Sequence, residues 1–168
     1  MSGRTRNRAI TCLLTGDVPG VRAAFVETAG ALMNRAISTF DVSSRVRLTK
    51  TPDEYVATRE QRRELPYEAL LTSGRTEWSS GERIRVYRAR GGRAGLLPVL
   101  DEDGPAVHAD PRDYDVEFYT RLLRETFAAR LARAFTAEDF ETVFADPRQR
   151  SLFEMSVSSI RPVLSVTD

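Results

Sequence analysis

Asp113, Asp115 and Glu117 occupy alternate positions in the stretch DYDVEFY, with Asp110 three residues upstream. Carboxylates of this kind hold paired divalent metal ions in phosphoryl-transfer enzymes. Such chemistry needs carboxylates that converge from separate elements onto ions about 3.5–4 Å apart, and one short stretch does not supply that. The adjoining segment offers a plainer role. In DVEFYTRLLRETFAARLARAF, the residues Val116, Tyr119, Leu123, Phe127, Leu131 and Ala134 step by three or four, which predicts a long amphipathic helix. Asp113 or Asp115 is placed to cap its first N–H groups, and acids in the first turn complement its dipole. Glu117 precedes Arg121 by four, the favourable order for a helical ion pair. The acids are therefore read as a helix start, with no catalytic residue and no metal ligand among them. A metal-dependent hydrolase using Asp110, Asp113, Asp115 and Glu117 is the weakest functional reading.

Other chemistries find less support. His108 is the only histidine and falls in a loop after DEDGPAV, with no nucleophile-elbow motif to join it. No Walker sequence occurs, and Lys50 follows no glycine-rich loop. GGRAG lacks the dinucleotide spacing, and DEDG is broken as a calcium loop by Pro105 and by the missing acid downstream. Cys12 is the only cysteine, so an internal disulfide or a cysteine zinc site is ruled out. Among Ile10, Leu13 and Leu14 it reads as a small buried hydrophobe, and a reducing cytoplasm fits. No apolar run reaches the roughly 18 residues that would span a membrane.

The basic residues are more informative. Net charge is only +1, yet residues 1–95 hold 17 basic and 10 acidic side chains, while residues 96–168 hold 8 and 14. That asymmetry predicts a basic face suited to polyanions. Arg75, Arg83, Arg85, Arg88, Arg90 and Arg93 cluster in the middle, opposed by Glu77 and Glu82. In GERIRVYRAR, Ile84 and Val86 alternate with Arg83 and Arg85, so the apolar pair faces a core and the arginines face out. Backbone phosphates suit such a ribbon, with Tyr87 and Trp78 as apolar bodies beside them.

The elements needed to hold this ribbon are legible around it. DVPGVRAAFVETAGALMNRAI predicts a helix capped by Asp17, with Val21, Ala24, Phe25, Thr28 and Leu32 on one stripe. AITCLL before it predicts another. DVSSRVRL alternates weakly and reads as extended. TPDEYVA predicts a helix with Thr51 and Glu54 as a capping box and Pro52 at its first position. LPYEALLTSG predicts one that opens at Pro66 and closes at Gly74. GERIRVYRAR and LLPVL predict two strands about a Gly-rich turn, a β unit near residues 82–100. Thr136 and Asp139 predict a further capping box, with Phe135 stapled against Phe140. The class is α+β, predominantly helical with a small antiparallel β unit, in one domain over residues 1–146 followed by a tail at 147–168.

The order LTKTPDEY, LPYEALLTSG, SSGERIRVYRARGG, DYDVEFYTRLLRETFAARLARAF resembles the C-terminal thumb region of family B DNA polymerases, over roughly residues 10–146. The palm motifs of that family, which resemble DxxSLYP and YGDTDS and carry its catalytic aspartates, do not occur in the chain. The resemblance implies a thumb domain or small subunit of a nucleotidyltransferase, without catalytic residues or cofactor of its own, magnesium belonging to the palm. It implies partners in duplex DNA and a polymerase palm, a role in DNA replication or repair, and a place in the cytoplasm at the nucleoid. On local charge, the residues expected to touch DNA are Thr49, Lys50, Arg75, Arg83, Arg85, Arg88 and Arg90.

In the tail, QRSLF is similar to the peptide that bacterial proteins insert into the sliding clamp. Gln149, Leu152 and Phe153 match its pattern, and Arg150 stands where leucine is usual. Adjacent apolar anchors beside a hydrogen-bonding glutamine suit a pocket of that kind. The alternative function is a protein–protein module that docks to a polymerase or clamp without binding DNA. Arg130 falls within the apolar stripe of the long helix, where it must snorkel, pair with an acid or meet a neighbouring domain.

Overall fold

In a computed structural model, which describes residues 3–98, 110–148 and 157–163, the elements run in this order. They are α1 (Gly3–Leu14), α2 (Val18–Met33), α3 (Thr39–Val42), β1 (Ser44–Arg47), α4 (Pro52–Thr58), α5 (Leu65–Thr72), β2 (Arg83–Arg88) and β3 (Ala94–Leu97). Then come α6 (Val116–Leu122), a π-helical segment (Leu123–Ala128), α7 (Ala129–Leu131), a 3-10 turn (Ala132–Ala134), α8 (Ala137–Val143) and a 3-10 turn at Val157–Ser159. Among the described residues about 54% are helical, with one open, three-stranded antiparallel sheet, so the class is α+β. Its contacts define two compact units, one of Ile37–Val116 and one of Met1–Ala36 with Glu117–Asp168.

The first unit is built on the sheet, ordered β1-β2-β3. Its middle strand reads Arg-Ile-Arg-Val-Tyr-Arg, and strand geometry sends successive side chains to opposite faces. Ile84 and Val86 are 2% exposed and pack with Leu48, Tyr55, Tyr67, Leu70 and Trp78. Burial of each such side chain contributes about 1.5–3 kcal/mol. DVSSRVRL supplies β1, so the sheet has one strand more than the two predicted around the Gly-rich turn. At that turn Gly91 and Gly92 take φ of 71° and 74°, which glycine adopts without steric cost. Gly95 serves differently. The Tyr87 ring lies against it, and a Cβ there would fall 2.3 Å from the ring.

Caps explain where the helices begin. The Gly20 N–H donates to Asp17 at 2.9 Å. Thr51 and Glu54 close a reciprocal capping box on α4. On α8 the Asp139 N–H donates to Thr136, but the Asp139 carboxylate accepts from the Thr136 hydroxyl at 2.8 Å. Aspartate is one methylene shorter than the Glu54 that closes the other box. Phe135 and Phe140 both pack on Phe144, with ring centroids 6.0 and 4.9 Å away.

The start of the long helix departs from expectation. DYD is extended backbone that pairs with the end of β2 before α6 begins at Val116. Ala89 bridges Tyr114, the Arg90 N–H donates to the Asp113 carbonyl at 2.7 Å, and the Asp115 N–H donates to the Arg88 carbonyl at 2.9 Å. Within the second unit the long helix is not one regular α-helix. Tyr119, Leu123, Ala128, Leu131 and Ala134 are buried, and residues 123–128 form a π-helical segment, which carries one residue more per hydrogen-bonded turn; the side chain of Phe127 lies outside those described. The extra residue rotates the helix beyond it, so Arg130 is exposed and not on the apolar stripe. Arg121 pairs with Glu125 at 3.7 Å in place of Glu117.

The same unit packs Val21, Ala24, Phe25, Ala29 and Leu32 of α2 with Val143 and Phe144. The Arg22 guanidinium donates to the carbonyls of Val143 and Ala145, closing the open end of α8. Burial lowers its pKa, against the attraction of Asp146. From the tail, Ile160 is buried, and the Val163 N–H donates to the Ala134 carbonyl at 2.8 Å.

One ionised contact ties α4 to α5. Arg59 grips Glu68 with two hydrogen bonds of 2.7 and 3.0 Å, and the Tyr55 hydroxyl adds a third at 2.6 Å. Arg59 first, then Tyr55, against partial burial, hold the Glu68 pKa down at about 2 from an ordinary 4.5. A depressed carboxylate stabilises the fold fully above its unfolded pKa, and that stability is lost as pH falls through its folded one. Between pH 5 and pH 2 the thermal midpoint of Glu68→Gln should therefore fall less steeply than that of the wild type. Parallel curves by circular dichroism would contradict this role.

Candidate nucleic-acid interface

The buried face of β2 determines what its other face must carry. Arg83 and Arg85 alternate with Ile84 and Val86, and β1 alternates in the same sense, with Arg45 and Arg47 about Val46. The antiparallel register sets Arg45 opposite Arg85 and Arg47 opposite Arg83. Directly opposed side chains have Cβ atoms about 4.5–5.5 Å apart. Successive rows on one face are about 7 Å apart. The four arginine side chains thus leave the sheet from one face, in two adjacent rows. None of the four has a carboxylate partner among the described residues.

Two of the four are positioned by neighbours. Arg85 donates to the Phe40 carbonyl at 3.2 Å and to the Ser43 hydroxyl at 2.9 Å. Its guanidinium lies 3.8 Å from the centroid of the Phe40 ring. Arg47 passes beside Gly81, whose φ is 92°, and a Cβ there would stand 3.4 Å from the Arg47 guanidinium. Arg45, Arg47 and Arg83 are exposed. Planar guanidinium groups with free donors suit phosphate oxygens, which they bind in bidentate fashion.

The remaining residues expected to touch DNA go elsewhere. Arg75 is held by Glu82 at 2.7 Å and donates to the Glu77 carbonyl. Lys50 is held by Glu64 at 2.7 Å and by the Thr58 hydroxyl at 3.1 Å. Arg88 has the parity of Ile84 and Val86, and it pairs with Asp115 at 3.5 Å. Arg90 is exposed in the turn after β2. Thr49 is exposed, and its N–H donates to the Tyr67 hydroxyl at 3.0 Å. The two aromatic residues are not free to flank a phosphate. Trp78 is buried and its indole N–H donates to the Lys50 carbonyl, while Tyr87 is buried and donates to Asp113 at 2.8 Å. Burial first, then Asp113, raises the Tyr87 pKa.

Arg83 and Arg85 are therefore the two proposed contacts that the fold brings together, and Arg45 and Arg47 join them unforeseen. Their signal was present: SRVR in β1 repeats the arginine–apolar alternation of RIRVYR in β2. A weakly alternating four-residue strand shows its partner only through the register.

Asp113 and Asp115 of DYDVEFY, and Asp110 upstream of it, have partners within the fold. Asp113 accepts from Tyr87, and Asp115 pairs with Arg88. Asp110 accepts from the Thr39 N–H and from Arg112, whose own N–H donates to the Thr39 hydroxyl. Partial burial pushes the Asp110 pKa up, but the bonds from Thr39 and Arg112 outweigh it and leave the carboxyl lowered. Among the described residues, no group of three or more His, Cys, Asp or Glu converges on one point. Gln149, Leu152, Phe153 and His108 lie outside the described residues.

In the second unit a cleft of about 610 Å³ also carries arginines, lined by Thr120, Arg121, Arg124, Glu141, Asp146 and Arg148. There Arg124 is paired with Glu141 and Arg148 with Asp146, so much of its positive charge is neutralised internally. On the sheet face, by contrast, Arg45, Arg47, Arg83 and Arg85 are in no ion pair among the described residues. In comparisons with known proteins, no family model, curated protein or solved structure matches the chain.

Like charges set directly opposite one another destabilise a sheet. Arg83→Glu, which places a carboxylate opposite Arg47, should raise the thermal midpoint at low ionic strength by about 1–3 °C. Salt should shrink the gain by screening. A lowered midpoint at low salt would show that the arginines do not repel.

Proposed function

We propose that the chain is a non-catalytic DNA-holding module whose arginine sheet face grips the sugar-phosphate backbone of duplex DNA. The observation that carries this reading is the in-register quartet Arg45, Arg47, Arg83 and Arg85, without carboxylate partners among the described residues. Four guanidinium groups in two rows match a ladder of phosphates, and phosphate contacts position a protein without reading sequence. The resemblance to a family B polymerase thumb supports the same role and narrows it to duplex behind a primer terminus, in replication or repair. Synthesis then belongs to a palm with its own magnesium, since the palm motifs do not occur in this sequence. Binding of this kind releases counterions and weakens steeply with salt.

Fluorescence anisotropy against a blunt duplex tests the proposal. Each phosphate contact adds about 0.9 to the slope of log affinity against log salt, so Arg47→Ala with Arg83→Ala should flatten it by about 2. Two unrelated duplex sequences should bind alike. An unchanged slope in the double variant would remove the sheet face from the interface.

The QRSLF stretch supports a second contact, with Gln149, Leu152 and Phe153 entering a sliding clamp. A peptide spanning residues 147–155 should bind a bacterial clamp with millimolar or tighter affinity in a titration. No binding at that concentration removes the clamp. Tight clamp binding by a chain that ignores DNA would favour a docking module instead.

A further inference from the structure

The phenyl ring of Phe40 stands at one end of the arginine array, beyond the row formed by Arg45 and Arg85. It is 48% exposed although one side of the ring carries the Arg85 guanidinium. A lone exposed hydrophobic needs no explanation, but this one is held in place. Its carbonyl accepts from Arg85, and Ser38 caps its short helix by accepting from the Asp41 N–H. Adjacent Thr39 is clamped by Asp110 and Arg112. The backbone that carries the ring is therefore anchored and Arg85 restrains one face of it, which lowers the ordering cost of binding.

An exposed aromatic stacked with an arginine, at the end of the proposed phosphate-binding face, has the two parts that single-stranded nucleic-acid sites combine. Bases stack on aromatic rings and on guanidinium planes, whereas phosphates need only charge. Within a duplex, the bases are already stacked on each other and offer the ring no face. Arg85 commits one nitrogen to the Phe40 carbonyl and Ser43, and its other N–H groups remain available for a phosphate.

We propose that Phe40 and Arg85 form a stacking platform for an unpaired base, so that this face takes a duplex carrying a single-stranded extension in preference to a blunt one. The inference rests on the phosphate-binding reading of the same face and adds a preference that this reading does not require.

Anisotropy titrations with three probes test it: a blunt duplex, the same duplex with a single-stranded extension, and one whose extension lacks bases. The wild type should bind the extended duplex at least about five-fold tighter than the blunt one, the gain of one stacked base. The abasic extension should yield only the small increment of its added phosphates. Phe40→Ala and Phe40→Leu should reduce the ratio of extended to blunt affinity to the abasic value, and Phe40→Tyr should restore it. A fluorescent adenine analogue in the extension should be quenched by the wild type and by Phe40→Tyr, not by Phe40→Leu. Equal affinity for based and abasic extensions, or a ratio unchanged in Phe40→Leu, would overturn the platform while leaving duplex binding intact. Failure to bind any of the three probes would overturn both readings.

Discussion

The pairing of β2 with β1 is the constraint on which the functional face depends. Ile84 and Val86 are almost wholly buried against Tyr67, Leu70 and Trp78, and a strand with one buried face has little freedom to slip. A shift by one residue would carry Arg83 and Arg85 into that core and bring the apolar pair out. Burying unpaired guanidinium groups costs far more than two apolar side chains regain. The register is thus enforced by the apolar residues, and the arginines opposite one another on the far face are its consequence. Their mutual repulsion is modest, about 0.2–1 kcal/mol for each opposed pair, and the buried side tolerates it.

This arrangement separates two kinds of arginine that look alike in composition. Arg59, Arg75 and Arg88 lie close to carboxylates and serve the fold, as Glu68, Glu82 and Asp115 show. Arg45, Arg47 and Arg83 project from the strands and take part in no ion pair among the described residues. The acids of DYDVEFY belong to the first kind of work. Asp113 holds the Tyr87 hydroxyl, Asp115 meets Arg88, and the backbone between them extends the edge of the sheet. Acids that suggest a metal site by spacing alone are thus used to fasten the end of the arginine-bearing strand.

Much of the fold could be read before the structure, wherever a local rule acts alone. Asp17, Thr51 and Thr136 cap helices because a side-chain oxygen and a free N–H lie within three residues of each other. The alternation of Ile84 and Val86 with arginine is equally local. What escaped reading depends on partners distant in sequence or on irregular backbone. Arg45 and Arg47 gain meaning only from β2, roughly forty residues away. Glu82 stood out as an acid among the arginines, but only the fold assigns it to Arg75, and Glu64 reaches Lys50 from fourteen residues away. Tyr87 looked available because its strand parity sets it beside Arg85, and only the fold shows that Gly95 and Asp113 cover it, as the core covers Trp78. A regular 3.6-residue period placed Arg130 on the apolar stripe, and the π-helical segment before it turned that position outward.

The central claim is that the arginines of one sheet face act together as the phosphate-binding surface. The most direct measurement tracks the arginine side-chain Nε–Hε resonances by nuclear magnetic resonance while a short duplex is added at low salt. Signals of Arg45, Arg47, Arg83 and Arg85 should move together and saturate at one stoichiometry, with those of Arg59 and Arg75 left in place. Stationary signals on the sheet, or movement confined to arginines elsewhere in the chain, would contradict the account.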